Sequence, residues 1–365
     1  MVVREVDPAD RRELKRFVRL ERELIGDDPM YVGELDSDVR KRLTRRSEFS
    51  KEWDLALFAG DRARCAAIVN PEWQQSRGQP ETGFIGYFAA ASEARRETGA
   101  VIGAAEEWLA ARGIRKVIAP VNGNVLMGMG ALVDGFGESP MFPLPWNPQH
   151  YDEAFDEAGY ERTYPLWYYE IDLGAEPYRE FTRRALDSPA ARLRPMEKKR
   201  WDEEVQTMRL IFNEGFDEEW EFQEFTPAQF KEFYAAFKAT FDPRLSVIAE
   251  VDGEPAGMAV GLPDMSPAFR AARGRLGPLT ILRLLRTARR PARVGLIGIA
   301  LRPQFRGRRI GAALAAQLYR NIEGMGMTRS VYYLVNESNV RSRGLAESLG
   351  GEGRVLYCCY SRALG

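Results

Sequence analysis

Residues 294–314 read VGLIGIALRPQFRGRRIGAAL, an apolar strand that runs into a turn of glycine and arginine and then opens an alanine-rich helix. The first backbone N–H groups of a helix lack partners inside it and point at whatever sits before them. Glycine lets the backbone come close and adopt a positive φ. Arg306, Arg308 and Arg309 bring charge suited to phosphate oxygens, while Gly311 and Ala312 keep bulk out of the way. Basic residues oppose the dipole at a helix start. Three of them with no acid therefore ask for an anionic partner, and a diphosphate matches the nest of N–H groups. A helix that merely begins with basic residues is the plainer alternative, and it leaves the opposing charge unexplained.

Around this segment the second half of the chain alternates strands and helices. Val205–Phe216 reads as a helix, and Thr226-Pro227 starts another that runs to about Phe241. Leu245–Val251 and Pro255–Leu262 form a hairpin on the Asp252-Gly253 turn. Arg293–Leu301 is a strand, Gly311–Gly324 a helix, Ser330–Val335 a strand, Arg341–Leu349 a helix and Arg354–Ser361 the last strand. The first half has the same grammar. Pro8–Ile25 has helical spacing, Asp54–Phe58 and Ala63–Val69 make a hairpin, and Gly83–Ala90 is an aromatic strand. Helix Ala94–Arg112 stops at Gly113, strand Lys116–Ala119 follows, and Leu166–Ile171 closes the half. The polar stretch Gly174–Glu204 marks a join, with two short helical pieces.

Between Pro263 and Pro291 lies an extra piece. Residues 270–293 hold eight arginines and no acid, and Leu279–Arg290 places Leu and Ile on one face and Arg on the other. Three readings fit: a helix capping the domain with its arginines in water, a lid over an anionic ligand, or a membrane-surface helix.

Composition narrows the function. Fifty-two basic against 53 acidic residues leave a net charge of −1, which argues against a dedicated nucleic-acid binder. The cysteines, Cys65, Cys358 and Cys359, suit neither a disulfide framework nor a zinc site, and a lone His150 rules out a multi-histidine metal site. No apolar run approaches a membrane span and the first residues lack a signal-peptide core. These features lead to the expectation of a soluble, cytoplasmic protein with no metal, no nucleic-acid partner and no membrane partner. There is no G-x-G-x-x-G after a strand and no G-K-[ST], so neither dinucleotide-binding nor P-loop chemistry is indicated.

Arg306-Gly307-Arg308-Arg309-Ile310-Gly311 resembles the acyl-coenzyme A motif of the GNAT superfamily of N-acetyltransferases, Q/R-x-x-G-x-G/A, with Arg309 in place of the first consensus glycine. The strand Ser330–Val335, the following Asn336-Glu337-Ser338-Asn339 and the helix ending at Leu349-Gly350-Gly351 continue the likeness. The whole chain is similar to bacterial tandem GNAT proteins, in features such as Glu107-Trp108-Leu109 and Asn147-Pro148 before Tyr151. The resemblance implies an α/β (α+β) fold of two GNAT-like domains, each a mixed, mainly antiparallel twisted sheet flanked by helices. Residues 1–174 would be a degenerate copy that shapes the acceptor site, 175–204 a connecting segment, and 205–365 the domain with the acyl-CoA motif.

The same resemblance implies transfer of acetyl from acetyl-CoA, as co-substrate, to a primary amine of a small molecule or amino-acid-like acceptor, in a monomer or homodimer. Ile299, Leu301, Arg306, Gly307, Arg308, Arg309, Ile310, Gly311, Ala312, Asn339 and Arg343 would hold the CoA. The N–H groups of Ile299 and Leu301 would meet the developing oxyanion. The family's acidic tyrosine falls on Ala346, so the general acid is displaced, with Tyr333, Tyr357 and Tyr360 as candidates. Glu337 is the nearest candidate base, and His150 a remoter one; the acidic, aromatic run Phe212–Phe225 suits a cationic amine. Two other readings remain open: transfer of another acyl group, from a longer acyl-CoA or an aminoacyl-tRNA, and a non-catalytic acyl-CoA sensor.

Overall fold

The computed structural model describes residues 3–187 and 189–365. Strand β1 (Arg4–Val6) leads into α1 (Arg11–Ile25). Asp10 caps α1 by accepting from the N–H groups of Arg12 and Glu13, and Leu14, Phe17, Val18 and Ile25 carry its apolar stripe into the core. A second helix, α2 (Asp36–Leu43), is too short and too charged for its periodicity to stand out, and it buries only Val39, Arg42 and Leu43. The hairpin β2 (Asp54–Ala59) and β3 (Ala63–Val69) forms as the sequence indicates. Asn70 then caps α3 (Pro71–Arg77). Strand β4 (Thr82–Ala90), helix α4 (Arg95–Ala110) and strand β5 (Lys116–Ala119) follow. After them come β6 (Ala131–Asp134), α5 (His150–Glu157) and the long β7 (Glu161–Asp172).

The second half opens with α6 (Glu176–Leu186), β8 (Arg192–Pro195) and α7 (Trp201–Gly215). A reciprocal capping box starts α8 (Pro227–Phe237): Gln229 N–H donates to Thr226 Oγ1, and Thr226 N–H to Gln229 Oε1. This helix ends at Phe237, one turn short of the expected Phe241. Then come β9 (Ser246–Val251), β10 (Glu254–Pro263), α9 (Ser266–Ala272), α10 (Pro278–Arg289) and β11 (Val294–Leu301). The chain ends with α11 (Ile310–Glu323), β12 (Arg329–Asn336), α12 (Val340–Ser348) and β13 (Glu352–Ala363).

One expectation is overturned within this half. The leucine face of α10 does not cap the domain. Thr280 and Ala288 are its buried residues, whereas Leu279, Ile281 and Leu282 stand in solvent.

Among the described residues all thirteen strands join one open sheet, in the order β1-β2-β3-β4-β5-β13-β7-β12-β11-β10-β9-β8, with β6 beside β13. Only β4–β5 and β11–β12 run parallel; the rest pair antiparallel, and twelve α-helices flank them. This is the mixed, mainly antiparallel architecture expected. The halves exchange their last strands at the centre. β13 pairs with β5 and β7, and β7 pairs with β12. The cores are shared accordingly. Val331, Tyr333 and Val355 pack with the first half, and Tyr169, Ile171, Leu173 and Tyr178 pack under α11 with the second. Each fully buried aliphatic or aromatic side chain contributes roughly 1.5–3 kcal/mol, so the exchange couples the halves strongly.

Candidate active site

β11 and β12 pair only at Gly295–Val331 and Leu296–Tyr332, and then part into a fork. Each strand carries an irregularity at that point. Against β10 the register passes from Val260–Gly298 to Gly261–Leu296, which leaves Ile297 as the extra residue of a bulge. β12 slips against β7 between Tyr332 and Val335, where Leu334 is held at φ 60°. A left-handed leucine costs on the order of 1–2 kcal/mol, so this opening is maintained against strain. At the end of β11, Arg302 N–H donates to Ala256 O of the β10 side. Successive N–H groups of a strand point to opposite sides. The N–H groups of Leu301 and Ile299 therefore face the fork.

From Leu301 the chain turns through Pro303–Phe305, with the Phe305 ring buried as anchor. Gly307 has φ 81° and Arg309 φ 60°. Arg309 thus keeps the left-handed geometry for which the consensus glycine is suited, at a cost that glycine would not incur. No side chain caps α11 and no acid lies in its first turn, so its leading N–H groups stay open. Behind them Ile310, Ala313, Leu314 and Leu318 are buried and fix the helix to the sheet. A Cβ on Gly311 would come within 3.2 Å of Leu301 Cδ1, so the helix start lies tight against the strand. Gly307, Arg308 and Arg309 are exposed, and Ala312 lies half-buried on the same turn. Arg306 donates to Glu218 Oε1 (2.8 Å) and Gly215 O (3.1 Å).

Across the fork Asn339 caps α12 by accepting from Ser342 N–H, and its Nδ2 donates to Glu219 Oε1 at 2.5 Å. Arg343 donates to the Glu337 carbonyl at 3.3 Å and lies 3.6 Å from Glu347. An acidic, aromatic strap between α7 and α8 thus bridges the two arms of the site. Phe216 lies over Gly298, where an added Cβ would meet the ring at 3.5 Å. The first half holds the strap from below. Arg77 of α3 donates to Asp217 O (2.6 Å) and Glu219 O (3.1 Å), and Trp220 stacks on Tyr164 at 3.8 Å.

Glu221 of this strap was not singled out from the sequence, and it has the unusual environment. Its side chain as a whole is half-buried, but Oε2 is buried without a partner, as are Trp220 Nε1 and Asn336 Nδ2. Burial pushes the Glu221 carboxyl up to about 7, helped by the nearby Glu219 carboxylate and opposed by Asn336 and Arg77. Burial also raises Glu219, with Glu218 adding to it and Arg306 and Arg341 pulling it back. The local pattern, a carboxylate between Trp220 and Phe222, is the only trace of this in the sequence.

The other candidates lie elsewhere. Glu337 is exposed at the end of β12, its N–H donating to Pro165 O. Tyr333 and Tyr357 are buried, and burial holds both hydroxyls above the ordinary tyrosine value. The Tyr333 ring sits at the root of the fork, 3.1 Å from where a Gly295 Cβ would stand, and its hydroxyl has no partner. Tyr360 donates to Asp152 and His150 Nε2 contacts Ala90 O at 2.8 Å, both within the first half. Neither reaches across to the fork.

The first half has a matching fork that its own chain fills. β4 and β5 pair at Thr82–Lys116, Gly83–Val117 and Phe84–Ile118. Beyond them Val121 N–H donates to Ile85 O, and Tyr87 N–H, on a residue at φ 49°, donates to Asn122 Oδ1. The first turn of α4 holds an acid, Glu97, which accepts from the Arg62 and Ala63 N–H groups, whereas the first turn of α11 has none.

The profile of the acetyltransferase (GNAT) family matches residues 205–350. Over its whole length the chain is similar to a bacterial ceramide synthase of Caulobacter vibrioides, at 29% identity covering 96% of this chain and 95% of that protein. It is also similar to protein YghO of Escherichia coli K12, at 26% identity covering 97% and 94%. Among solved structures, a tandem GNAT protein from the clavulanic acid biosynthesis pathway aligns with TM-score 0.55 at 12% identity, covering 100% of this chain and 99% of that one. A GCN5-related N-acetyltransferase from Sphaerobacter thermophilus aligns with TM-score 0.50 at 14% identity, covering 99% and 95%. Residues 205–350 thus match the GNAT family, and the chain as a whole has the fold of tandem GNAT proteins.

Proposed function

We propose that the chain transfers an acyl group from acyl-CoA to a primary amine at the β11–β12 fork, with Glu221 as the base. The observation that carries this reading is the placement of Glu221. A carboxyl raised to about 7 stands on the strap that bridges the two arms of the site, beside Asn336 at the tip of β12. A base with that value is half ionised near neutral pH and takes a proton from an ammonium efficiently. Glu337, in solvent, has no such environment.

In this reading Arg306, Arg308, Arg309 and the N–H groups of Gly307 and Ile310–Ala312 bind the diphosphate, and Asn339 and Arg343 flank the pantetheine arm. Glu221 removes the amine proton, and the nitrogen attacks the thioester carbonyl. The carbonyl oxygen gathers charge against the N–H groups of Ile299 and Leu301. The C–S bond then breaks and the thiolate leaves with a proton, for which Tyr333 at the root of the fork is the candidate. The division into 1–174, 175–204 and 205–365 follows function: one acyl-CoA site in the last part, and a first part whose fork is filled by Asn122.

The sequence favoured acetyl as the group transferred and a small amine as acceptor. The full-length similarity to a protein named ceramide synthase shifts the proposal to a longer acyl chain and a long-chain amine, since a ceramide is the amide of a fatty acid and a long-chain amino alcohol. Thermal-shift and turnover measurements with acetyl-, octanoyl- and palmitoyl-CoA against short and long amines decide between them. Stabilisation by no CoA ester overturns the proposal altogether, and turnover with acetyl-CoA alone restores the short-chain reading.

A further inference from the structure

We infer that the α9–α10 insertion is a docking element for an anionic lipid surface. Six large apolar residues are exposed among the described residues, and four of them, Leu276, Leu279, Ile281 and Leu282, fall within seven positions of this insertion. Leu279 is 69% exposed and Leu282 62%, values at odds with a helix that caps a core. The residues that follow are basic. Arg283, Arg286, Arg289 and Arg290 are all exposed, and none of them forms an ion pair among the described residues.

The helix is held as a projecting platform. α9 is tied down by the stacking of Phe269 on Phe142 at 3.9 Å and by Phe142 N–H donating to Ser266 Oγ at 2.8 Å. Arg293 closes the insertion with a 2.7 Å ion pair to the buried Asp264. α10 itself rests on α9 and buries only Thr280 and Ala288. Its outward surface is thus an apolar tip followed by a basic shaft.

Charge decides the occupant. A second copy of the chain meeting this face would bring arginines against arginines, with no acid anywhere in 270–293. A nucleic acid would satisfy the arginines and leave the leucines in water. A bilayer with anionic headgroups satisfies both, because leucine side chains enter the headgroup–acyl boundary while arginines reach phosphates along their own apolar stems. Among the described residues no helix is long and apolar enough to cross a membrane, so the contact proposed is with the surface. α10 leads through Pro291 and Ala292 straight into β11, so docking holds the strand bordering the fork near the lipid.

The test is sedimentation of the full chain with phosphatidylcholine vesicles, with and without phosphatidylglycerol. Binding to the anionic vesicles is expected, with loss in pure phosphatidylcholine and in high salt. Arg286→Glu/Arg289→Glu should weaken it by at least about 30-fold, since each arginine near an anionic surface is worth about fivefold. Leu279→Ser/Leu282→Ser should weaken it while the melting temperature is unchanged, because neither side chain is buried. Failure to bind anionic vesicles, binding insensitive to both double variants, or dimerisation that the leucine variant abolishes would each overturn the inference. Loss of acyl transfer is not a readout here, so failure of the functional proposal remains distinguishable.

Discussion

Arg306 and Glu218 form an ion pair at 2.8 Å, so the guanidinium to which the proposed function gives a diphosphate is already engaged by the protein's own acidic strap. Glu218 also lies 3.7 Å from Arg341. In the proposed reading an acyl-CoA displaces these contacts. Glu218→Gln is expected to tighten CoA binding by up to about fivefold, the range for an exposed pair. Arg306→Ala should weaken it by a similar factor, and Gly311→Glu should abolish it, by crowding Leu301 and adding a repelling charge. Calorimetric titration with CoA measures all three. Equal affinities would remove the diphosphate from this turn.

Arg309 at φ 60° gives a second prediction. Arg309→Gly should stabilise the fold by roughly 0.5–1 kcal/mol, the left-handed penalty less the extra entropy glycine gains when unfolded. CoA affinity should fall slightly, because one exposed charge is lost. Urea denaturation of both proteins checks the sign, and a destabilised variant would mean that Arg309 makes contacts that outweigh its strain.

Glu221 links pH to stability and rate. Its folded value, about 7, lies above the ordinary 4.5. Between those values the folded state holds more protons than the unfolded one, so stability falls as pH rises. Glu221→Gln should flatten that limb and stabilise the protein at pH 8. In the same variant kcat/KM should lose its rise through about pH 7. An unchanged pH–rate profile would assign the base to another group.

The exchange of β7 and β13 predicts a single unfolding event. Near-ultraviolet and far-ultraviolet signals should coincide in urea, although the chain carries two copies of the fold. Residues 205–365 expressed alone should not fold, because β12 and β13 lose β7 and the core loses Tyr169, Ile171 and Tyr178. A soluble, cooperatively folded fragment would show that the shared core is dispensable.

The sequence by itself determined what depends on near neighbours in the chain. The hairpins, the Thr226 N-cap and the strand–turn–helix at 294–314 all rest on contacts a few residues apart, and they stand where periodicity and turn residues place them. The arginine-rich start of α11 was legible because an opposing charge at a helix terminus is a local anomaly. Short elements with weak patterns, such as α2, α3 and β8, were not legible.

Tertiary structure alone decided three things. It put β13 between β5 and β7, a pairing of residues more than a hundred positions apart on which no local pattern bears. It turned Leu279, Ile281 and Leu282 of α10 outward, because amphipathic spacing fixes which residues share a face but not which face meets the core. It also made Glu221 the unusual carboxylate, since desolvation depends on the groups folded around a side chain: Trp220, Asn336, Glu219 and Arg77, the last from the other half of the chain.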